Sequence, residues 1–226
     1  MNTRNLTESM ARTQDRPGFG EAMVQGALAN LPVAASVAAY GSVLGVLAAQ
    51  KNLLWTELLF MNLAVFAGSA QFVMVDMWNL PLPILEITLA VLVINLRYLL
   101  IGASLKPVFH GTGLRHKCTV MHFVADENWA VTMAALQKGK ASTGYLWGGG
   151  LCLMTFWSAG TLAGHRLGAV ISNPEALALD FAFIAVFTAL AFSMWQGKKN
   201  ILPWLSAAVF AIAAEKIFPG KWYILF

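Results

Sequence analysis

The first candidate chemistry in this sequence lies where an apolar stretch is interrupted by Pro32 and, after Tyr40, by Gly41. Proline removes a backbone donor, and glycine permits unwinding. In a helix that such residues break, a half-helix N-terminus would hold a carboxylate and freed carbonyls would hold an ammonium group. We therefore name Asn30, Pro32, Tyr40 and Gly41 as candidate substrate-binding residues. A simple packing kink is the alternative.

The run Phe66–Phe72 places two polar side chains among small and apolar ones. Gly68 allows neighbouring helices to approach closely. Ser69 and Gln71 need hydrogen-bond partners if they are buried. These three residues are candidates for binding a small polar guest, and bonding to a neighbouring helix is the alternative.

Arg97 follows Asn95 deep inside a third apolar stretch, too far from its ends to be explained by snorkelling alone. A buried guanidinium needs a carboxylate or a substrate anion. Glu86 is on the same predicted helix but about 16 Å away along its axis, so it cannot pair with Arg97. Asn95 and Arg97 are therefore candidate substrate-binding residues. The alternative is an ion pair with a distant carboxylate, for which the sequence offers Asp126, Glu127, Asp180 and Glu215.

Asp126 and Glu127 are adjacent carboxylates at the centre of a segment, Thr119–Leu136, that is helical in character. A surrounding of low dielectric favours the protonated form of a carboxylate, which suits proton coupling. We therefore predict proton-coupling roles for Asp126, Glu127 and Asp180. An exposed acidic turn at a membrane interface, anchored by Trp129, is the alternative.

Other kinds of chemistry lack their motifs. No nucleophile elbow, HExxH, Walker A or paired CxxC motif is present, and Cys118 and Cys152 have no metal-ligand spacing. The sequence therefore predicts neither an enzyme nor a metal or cofactor site. The net charge of +4 is dispersed along the chain, which argues against a nucleic-acid partner.

The elements that must position these residues follow from composition. Of the 226 residues, 58% are hydrophobic and only 12% are charged, about half of the roughly 25% typical of soluble domains. This composition predicts an all-α, polytopic membrane protein. Stretches of about 20 apolar residues indicate about six transmembrane helices: Met23–Ala49, Leu53–Trp78, Ile84–Leu105, Tyr145–Ile171, Ala176–Trp195 and Ile201–Phe218. The segment 119–137 is expected to be only partly inserted, because two carboxylates in mid-bilayer are costly.

The chain is predicted to consist of a polar tail, 1–20, and a single transmembrane domain, 21–226. Gly41–Gly45 resembles Gly164–Gly168, and Phe60–Phe66 resembles Phe181–Phe187. These matches suggest a 3+3 inverted repeat with halves 21–105 and 144–218, joined by 106–143. Because apolar helices share residues by chance, the repeat is a weak signal. The distribution of basic residues leaves the membrane orientation open.

Taken together, these residues resemble the AzlC family, the large membrane subunit of branched-chain amino-acid exporters. The resemblance covers nearly the whole chain from Gly18. It is carried by the order and spacing of the Pro32-interrupted first span, Phe66–Phe72, Asn95-Leu96-Arg97 with Ser104-Leu105-Lys106-Pro107, Asp126-Glu127, Gly160 and Gly164, and Leu179-Asp180-Phe181. Members usually continue beyond the Pro219–Trp222 motif into another apolar helix, whereas this sequence stops at Phe226.

This resemblance implies ion-coupled export of valine, leucine, isoleucine and methionine through the bacterial inner membrane. It also implies a small AzlD-type membrane subunit as partner, besides membrane lipid and the amino acid itself. Two other readings stay open: a passive channel or facilitator, and a non-transporting scaffold subunit of a membrane complex.

Overall fold

A computed structural model describes residues 17–170, 188, 197, 198 and 201–217. Of residues 214, 215 and 217 it describes the backbone only. No strand occurs among these residues, and the all-α prediction is confirmed. The helices are α1 (Phe19–Gln50), α2 (Trp55–Ala64), α3 (Gly68–Asp76), α4 (Ile84–Asn95), α5 (Arg97–Ser104), α6 (Leu114–His122), α7 (Asp126–Gln137), α8 (Thr143–Gly168) and α9 (Ile201–Ile217).

Within the part of the chain that the structure describes, two stretches are long and apolar enough to cross a membrane, α1 and the pair α4–α5 taken as Ile84–Ser104, and Ile201–Ala213 is a shorter apolar helix. The predicted fifth span, Ala176–Trp195, lies almost wholly outside the described residues. The prediction of six spans is therefore not confirmed as a count.

Helix α1 runs unbroken through Pro32 and Gly41, so the predicted break in the first span is wrong. A proline removes only one backbone donor, and apolar helices tolerate that loss where neighbouring groups compensate. Gly41 serves packing rather than unwinding, because a Cβ there would lie 3.0 Å from the carbonyl oxygen of Trp157.

The break occurs instead in the second apolar stretch. Helix α2 ends at Ala64 and α3 begins at Gly68, with non-helical backbone at Val65 and extended backbone at Ala67. The third stretch also has an interruption, a single-residue step at Leu96 between α4 and α5. The middle segment is split as well, because α6 ends at His122 and α7 begins only at Asp126. These three interruptions contain no proline, and Pro32 interrupts no helix.

The described residues form two compact units, which are considered separately. The first unit combines 17–36 with 101–156, and the second combines 37–100 with 157–170 and 201–217. Both units therefore draw on the two predicted halves of the sequence. The boundary between tail and transmembrane domain remains a prediction.

In the first unit, the N-terminal part of α1 packs directly against the start of α8. A Cβ on Gly148 would overlap the backbone of Met23, and a Cβ on Gly26 would overlap the backbone of Tyr145. Asn128, in the first turn of α7, joins this packing by donating to the Leu146 carbonyl over 3.2 Å. Glycine is required at these contacts because the backbones themselves touch.

In the second unit, α1 and α8 run parallel. Ala38 lies against Gly160 and Ser42 lies against Gly164, so the contacting positions rise together along both helices. In an inverted repeat, the matched spans run antiparallel. The parallel contact of α1 with α8 therefore does not agree with the predicted match of Gly41–Gly45 and Gly164–Gly168. In the second predicted match, Phe60–Phe66 with Phe181–Phe187, the later segment lies outside the described residues. The repeat is not confirmed.

Helices α2–α4 of the second unit run in alternating directions. As the chain passes from Leu53 to Asn62 and then Gln71, its partners on α8 descend from His165 to Thr161 and then Trp157. The broken pair α2–α3 is therefore antiparallel to α8. Helix α4 reverses direction again and packs its Ala90 against Val73 and Met77 of α3. The chain thus leaves this unit on α4 in the same direction in which it returns on α8.

Candidate functional site

The centre of the second unit is the break between α2 and α3. Gln71 lies one turn into α3 and is fully buried. Its amide nitrogen Nε2 donates to the Val65 carbonyl over 2.6 Å and, more weakly, to the Met61 carbonyl over 3.3 Å. The Met61 carbonyl also accepts from the Val65 N–H over 2.9 Å, and the Val65 carbonyl also accepts from the Ala67 N–H over 2.8 Å. The Gln71 side chain therefore adds a second hydrogen bond to carbonyls at the break itself.

A chain of hydrogen bonds connects this break to α8. The indole Nε1 of Trp157 donates to Oε1 of Gln71 over 2.8 Å and to Oδ1 of Asn62 over 3.2 Å. Asn62 in turn donates from Nδ2 to Oγ1 of Thr161 over 2.7 Å, and Thr161 donates to the Ser158 carbonyl. Trp157 is only 4% exposed, and the other side chains are fully buried. Every member of the network therefore has a partner, which is what buried polar groups require.

Aromatic rings and glycines enclose this network. The Tyr40 ring lies 5.0 Å from the Phe72 ring and 5.9 Å from the Trp157 ring, measured between centroids. A Cβ on Gly68 would lie 3.1 Å from the Trp157 indole. Gly68 and Gly41 thus leave space for the indole to lie between α1 and the start of α3.

The first turn of α3 faces a cationic side chain. The Nη2 atom of Arg97 donates to Oγ of Ser69 over 2.9 Å. Ser69 is the second residue of α3, where backbone N–H groups have no partner within the helix. The positive end of the helix dipole and the guanidinium both favour negative charge at this position. Asn95 lies just before Arg97, and its Oδ1 atom is buried without a hydrogen bond among the described residues.

The structure therefore brings together most of the residues predicted to bind substrate: Tyr40, Gly41, Gly68, Ser69, Gln71 and Arg97. Two of the predicted residues, Asn30 and Pro32, belong to the first unit. Asn30 is fully buried there and donates to the Gly26 carbonyl over 2.8 Å. Pro32 is an exposed residue of an unbroken helix, so it offers no freed carbonyl at a break.

Asp126 and Glu127 lie in the first turn of α7 and not at the centre of a helix, which corrects the prediction for Thr119–Leu136. Carboxylates in the first turn interact favourably with the helix dipole. Asn128 fixes this start, because its Oδ1 accepts from the Ala125 N–H over 2.7 Å and its Nδ2 donates to the Phe123 carbonyl over 3.0 Å. Asp126 is half-buried and Glu127 is exposed. Asp180 lies outside the described residues.

Three members of the site escaped sequence reasoning: Asn62, Trp157 and Thr161. Asn62 carries the same signal that singled out Gln71, a polar side chain within an apolar stretch. The indole of Trp157 gave no such signal, because tryptophan is common in apolar helices and its contact with Gln71 joins residues 86 positions apart. In the part of the chain described, no three His, Cys, Asp or Glu side chains are placed to hold a metal ion.

Comparison with known proteins adds to this geometry. The chain matches the family model described as AzlC protein over residues 32–171, more than half of its length. An uncharacterized membrane protein of Helicobacter pylori strain J99 is 25% identical over 187 residues, which cover 82% of this chain and 81% of that protein. The branched-chain amino acid transport protein AzlC of Bacillus subtilis is 27% identical over 173 residues, which cover 74% of this chain and 65% of that protein. No solved structure matches the chain.

Proposed function

We infer that this chain, which belongs to the AzlC protein family, is a membrane transporter subunit that exports branched-chain amino acids. The transport activity is proposed from the Bacillus subtilis relative, which is named a branched-chain amino acid transport protein. Valine, leucine, isoleucine and methionine are the proposed substrates. The proposed location is the bacterial inner membrane, which the chain would cross several times.

The break between α2 and α3 suits an amino acid, which carries one charge of each sign. The C-terminal end of α2 has the negative end of a helix dipole, and the N-terminal end of α3 has the positive end of another. Only Val65–Ala67 separate them. A substrate ammonium group would lie near the end of α2, and its carboxylate near the start of α3, as in transporters with discontinuous helices.

The hydrogen bond between Arg97 and Ser69 is the observation that carries this proposal. It holds a guanidinium at the start of α3, the end that already favours an anion. We propose that Ser69 and Arg97 bind the substrate carboxylate and that Asn95 contributes an amide nearby. Gln71 is proposed to shape the site, because its amide hydrogens are committed to the Met61 and Val65 carbonyls. Tyr40 and the rings beside it would contact the apolar side chain of the substrate.

The sequence has no ATP-binding motif, so an ion gradient is the proposed energy source. Asp126 and Glu127 are the proposed proton-coupling groups among the described residues, with Asp180 as the third predicted member. Carboxylates that exchange protons at membrane depth are a recurring feature of coupled transporters.

A small AzlD-type membrane subunit is the proposed partner. Two surfaces of this chain leave large apolar side chains exposed, one on α4–α5 and one on α9: Leu92, Leu96, Leu99, Leu100, Leu202, Leu205, Val209 and Phe210. In a membrane, such surfaces are covered by lipid or by another apolar helix. The partner is proposed to cover one of them.

An efflux assay tests the proposed function. Cells loaded with radiolabelled valine are compared with and without this gene, each with an AzlD-type subunit co-expressed, and with and without a protonophore. We expect gene-dependent efflux of valine that the protonophore abolishes, and no efflux of glutamate, whose charged side chain does not suit contact with the aromatic rings around Tyr40. Equal valine efflux with and without the gene would contradict the proposal.

A further inference from the structure

We propose that Trp157 is a positioning residue for this site, because its indole N–H sets the orientation of the Gln71 amide and thereby the start of α3. This inference rests on the proposed function and adds a residue from α8 to it. Trp157 itself does not contact the proposed carboxylate position. It acts through Gln71.

The argument begins with the two faces of the Gln71 amide. One end is an oxygen that only accepts hydrogen bonds, and the other is an NH₂ group that only donates. The carbonyls of Met61 and Val65 can only accept, so the NH₂ end must face them. The indole N–H of Trp157 can only donate, and it meets the oxygen end over 2.8 Å. Trp157 therefore favours the one amide orientation that satisfies the break.

Loss of the indole N–H would leave Oε1 of Gln71 buried without this donor. Only the two hydrogen bonds from its NH₂ group to the Met61 and Val65 carbonyls would then favour this orientation of the amide. The Val65 carbonyl would then rely mainly on its bond from the Ala67 N–H, and only two residues lie between Val65 and the first turn of α3. We expect the N–H groups at the start of α3 to be less well positioned for an anion.

The indole also has a second partner that resists its displacement. Oδ1 of Asn62 accepts from the same N–H over 3.2 Å, and Asn62 is itself held by Thr161. The indole ring lies against Gly68 and Gly41, where any larger residue would crowd it. The ring is thus fixed by polar and steric contacts together, as a positioning group must be.

The test compares Trp157→Phe with Trp147→Phe. Both substitutions replace an indole on α8 with a phenyl ring, but the buried Nε1 of Trp147 makes no hydrogen bond in the described structure. The full chain is co-expressed with an AzlD-type subunit, purified and reconstituted in liposomes. We expect Trp157→Phe to raise the KM for valine about tenfold, the size expected for one buried hydrogen bond, with a smaller change in the maximal rate. Trp147→Phe should leave the KM unchanged.

The link through Gln71 is tested with a double variant. Gln71→Met removes the amide while keeping a side chain of similar length. If Trp157 acts through Gln71, adding Trp157→Phe to Gln71→Met should raise the KM no further. Multiplicative effects of the two substitutions on the KM would overturn the inference, and so would an unchanged KM in Trp157→Phe or an equal rise in Trp147→Phe.

Thermal unfolding of the same variants separates this inference from the proposed function. If wild-type protein with its partner carries no valine, the proposed function fails, and the melting temperatures alone decide the link between Trp157 and Gln71. Trp157→Phe also loses the bond to Asn62 and part of the packing of the ring, which do not depend on Gln71. A double variant that loses clearly less than the sum of the two single losses therefore supports the link, and melting-temperature losses that simply add overturn it.

Discussion

Arg97 donates a hydrogen bond from Nη2 to Oγ of Ser69 over 2.9 Å, which joins the start of α5 to the first turn of α3. The two residues are 28 positions apart in sequence. A guanidinium and a helix N-terminus both carry positive charge, so each of them favours an anion placed beside this contact. This relationship gives the proposed carboxylate site its position.

Arg97 should therefore be needed for substrate affinity. Hydrogen bonds to charged groups contribute about 1.5–3 kcal/mol, so Arg97→Gln should raise the KM for valine by about tenfold to a hundredfold. Arg97→Lys keeps the charge but loses the planar fork, and it should recover only part of the affinity. Uptake into inverted vesicles measures both.

The matched control for Arg97 is Arg166→Gln, which removes an exposed guanidinium from α8 in the same unit. Its KM should equal that of the wild type. An equal loss of affinity in both variants would indicate a general effect of charge and would contradict a local carboxylate site.

The parallel packing of α1 and α8 should depend on Gly164. A methyl group there would overlap the Ser42 backbone, and overpacking of this kind typically costs about 1–3 kcal/mol. Gly164→Ala should lower the melting temperature in detergent, followed by tryptophan fluorescence.

Gly20→Ala is the control for this prediction, because no atom lies within 4 Å of a Cβ added at Gly20. Gly20 lies within α1, where alanine is favoured over glycine by about 0.5–1 kcal/mol. Its melting temperature should be unchanged or slightly raised. If Gly164→Ala were as stable as Gly20→Ala, the two helices would not be in backbone contact at that point.

The directions of the helices predict a membrane crossing where the sequence predicted only partial insertion. The chain leaves the second unit on α4 and returns on α8 in the same direction, so the connection between them must run back across the membrane. Helices α6 and α7 lie in that connection. We therefore expect 114–137 to cross as a broken helix, rather than to be only partly inserted.

Cysteine labelling measures this crossing. Cys118 is exposed and Cys152 half-buried, so both are first replaced by serine. A new cysteine is then placed at His110 or at Lys140, exposed residues on either side of the segment. A membrane-impermeant maleimide should label the two from opposite faces of the membrane. Labelling of both from one face would contradict the crossing.

The sequence predicted the polar residues of the site better than it predicted where the helices are interrupted. Arg97, Ser69 and Gln71 stood out because polar groups in apolar stretches need partners, and the structure gives each of them one. Pro32 misled because a proline's lost donor is compensated easily within a long helix. The break at Val65–Ala67 carries no proline. The amide of Gln71 bonds its carbonyls, and this amide is bonded in turn by Trp157, 86 positions away. Such a long-range partner is not readable from local composition.

The carboxylates of α7 distinguish a coupled exporter from a passive channel. Asp126→Asn and Glu127→Gln keep side-chain size but remove the groups that exchange protons. In a coupled exporter, the double variant should lose the dependence of valine efflux on pH and on the protonophore, because no proton would be exchanged for the substrate. In a channel, flux follows the valine gradient, and the double variant should carry valine as the wild type does.

Efflux is measured from loaded liposomes with and without an imposed pH gradient, with Glu86→Gln, a change outside α7, as the control. A double variant that retains wild-type acceleration by the pH gradient would exclude Asp126 and Glu127 as the coupling groups.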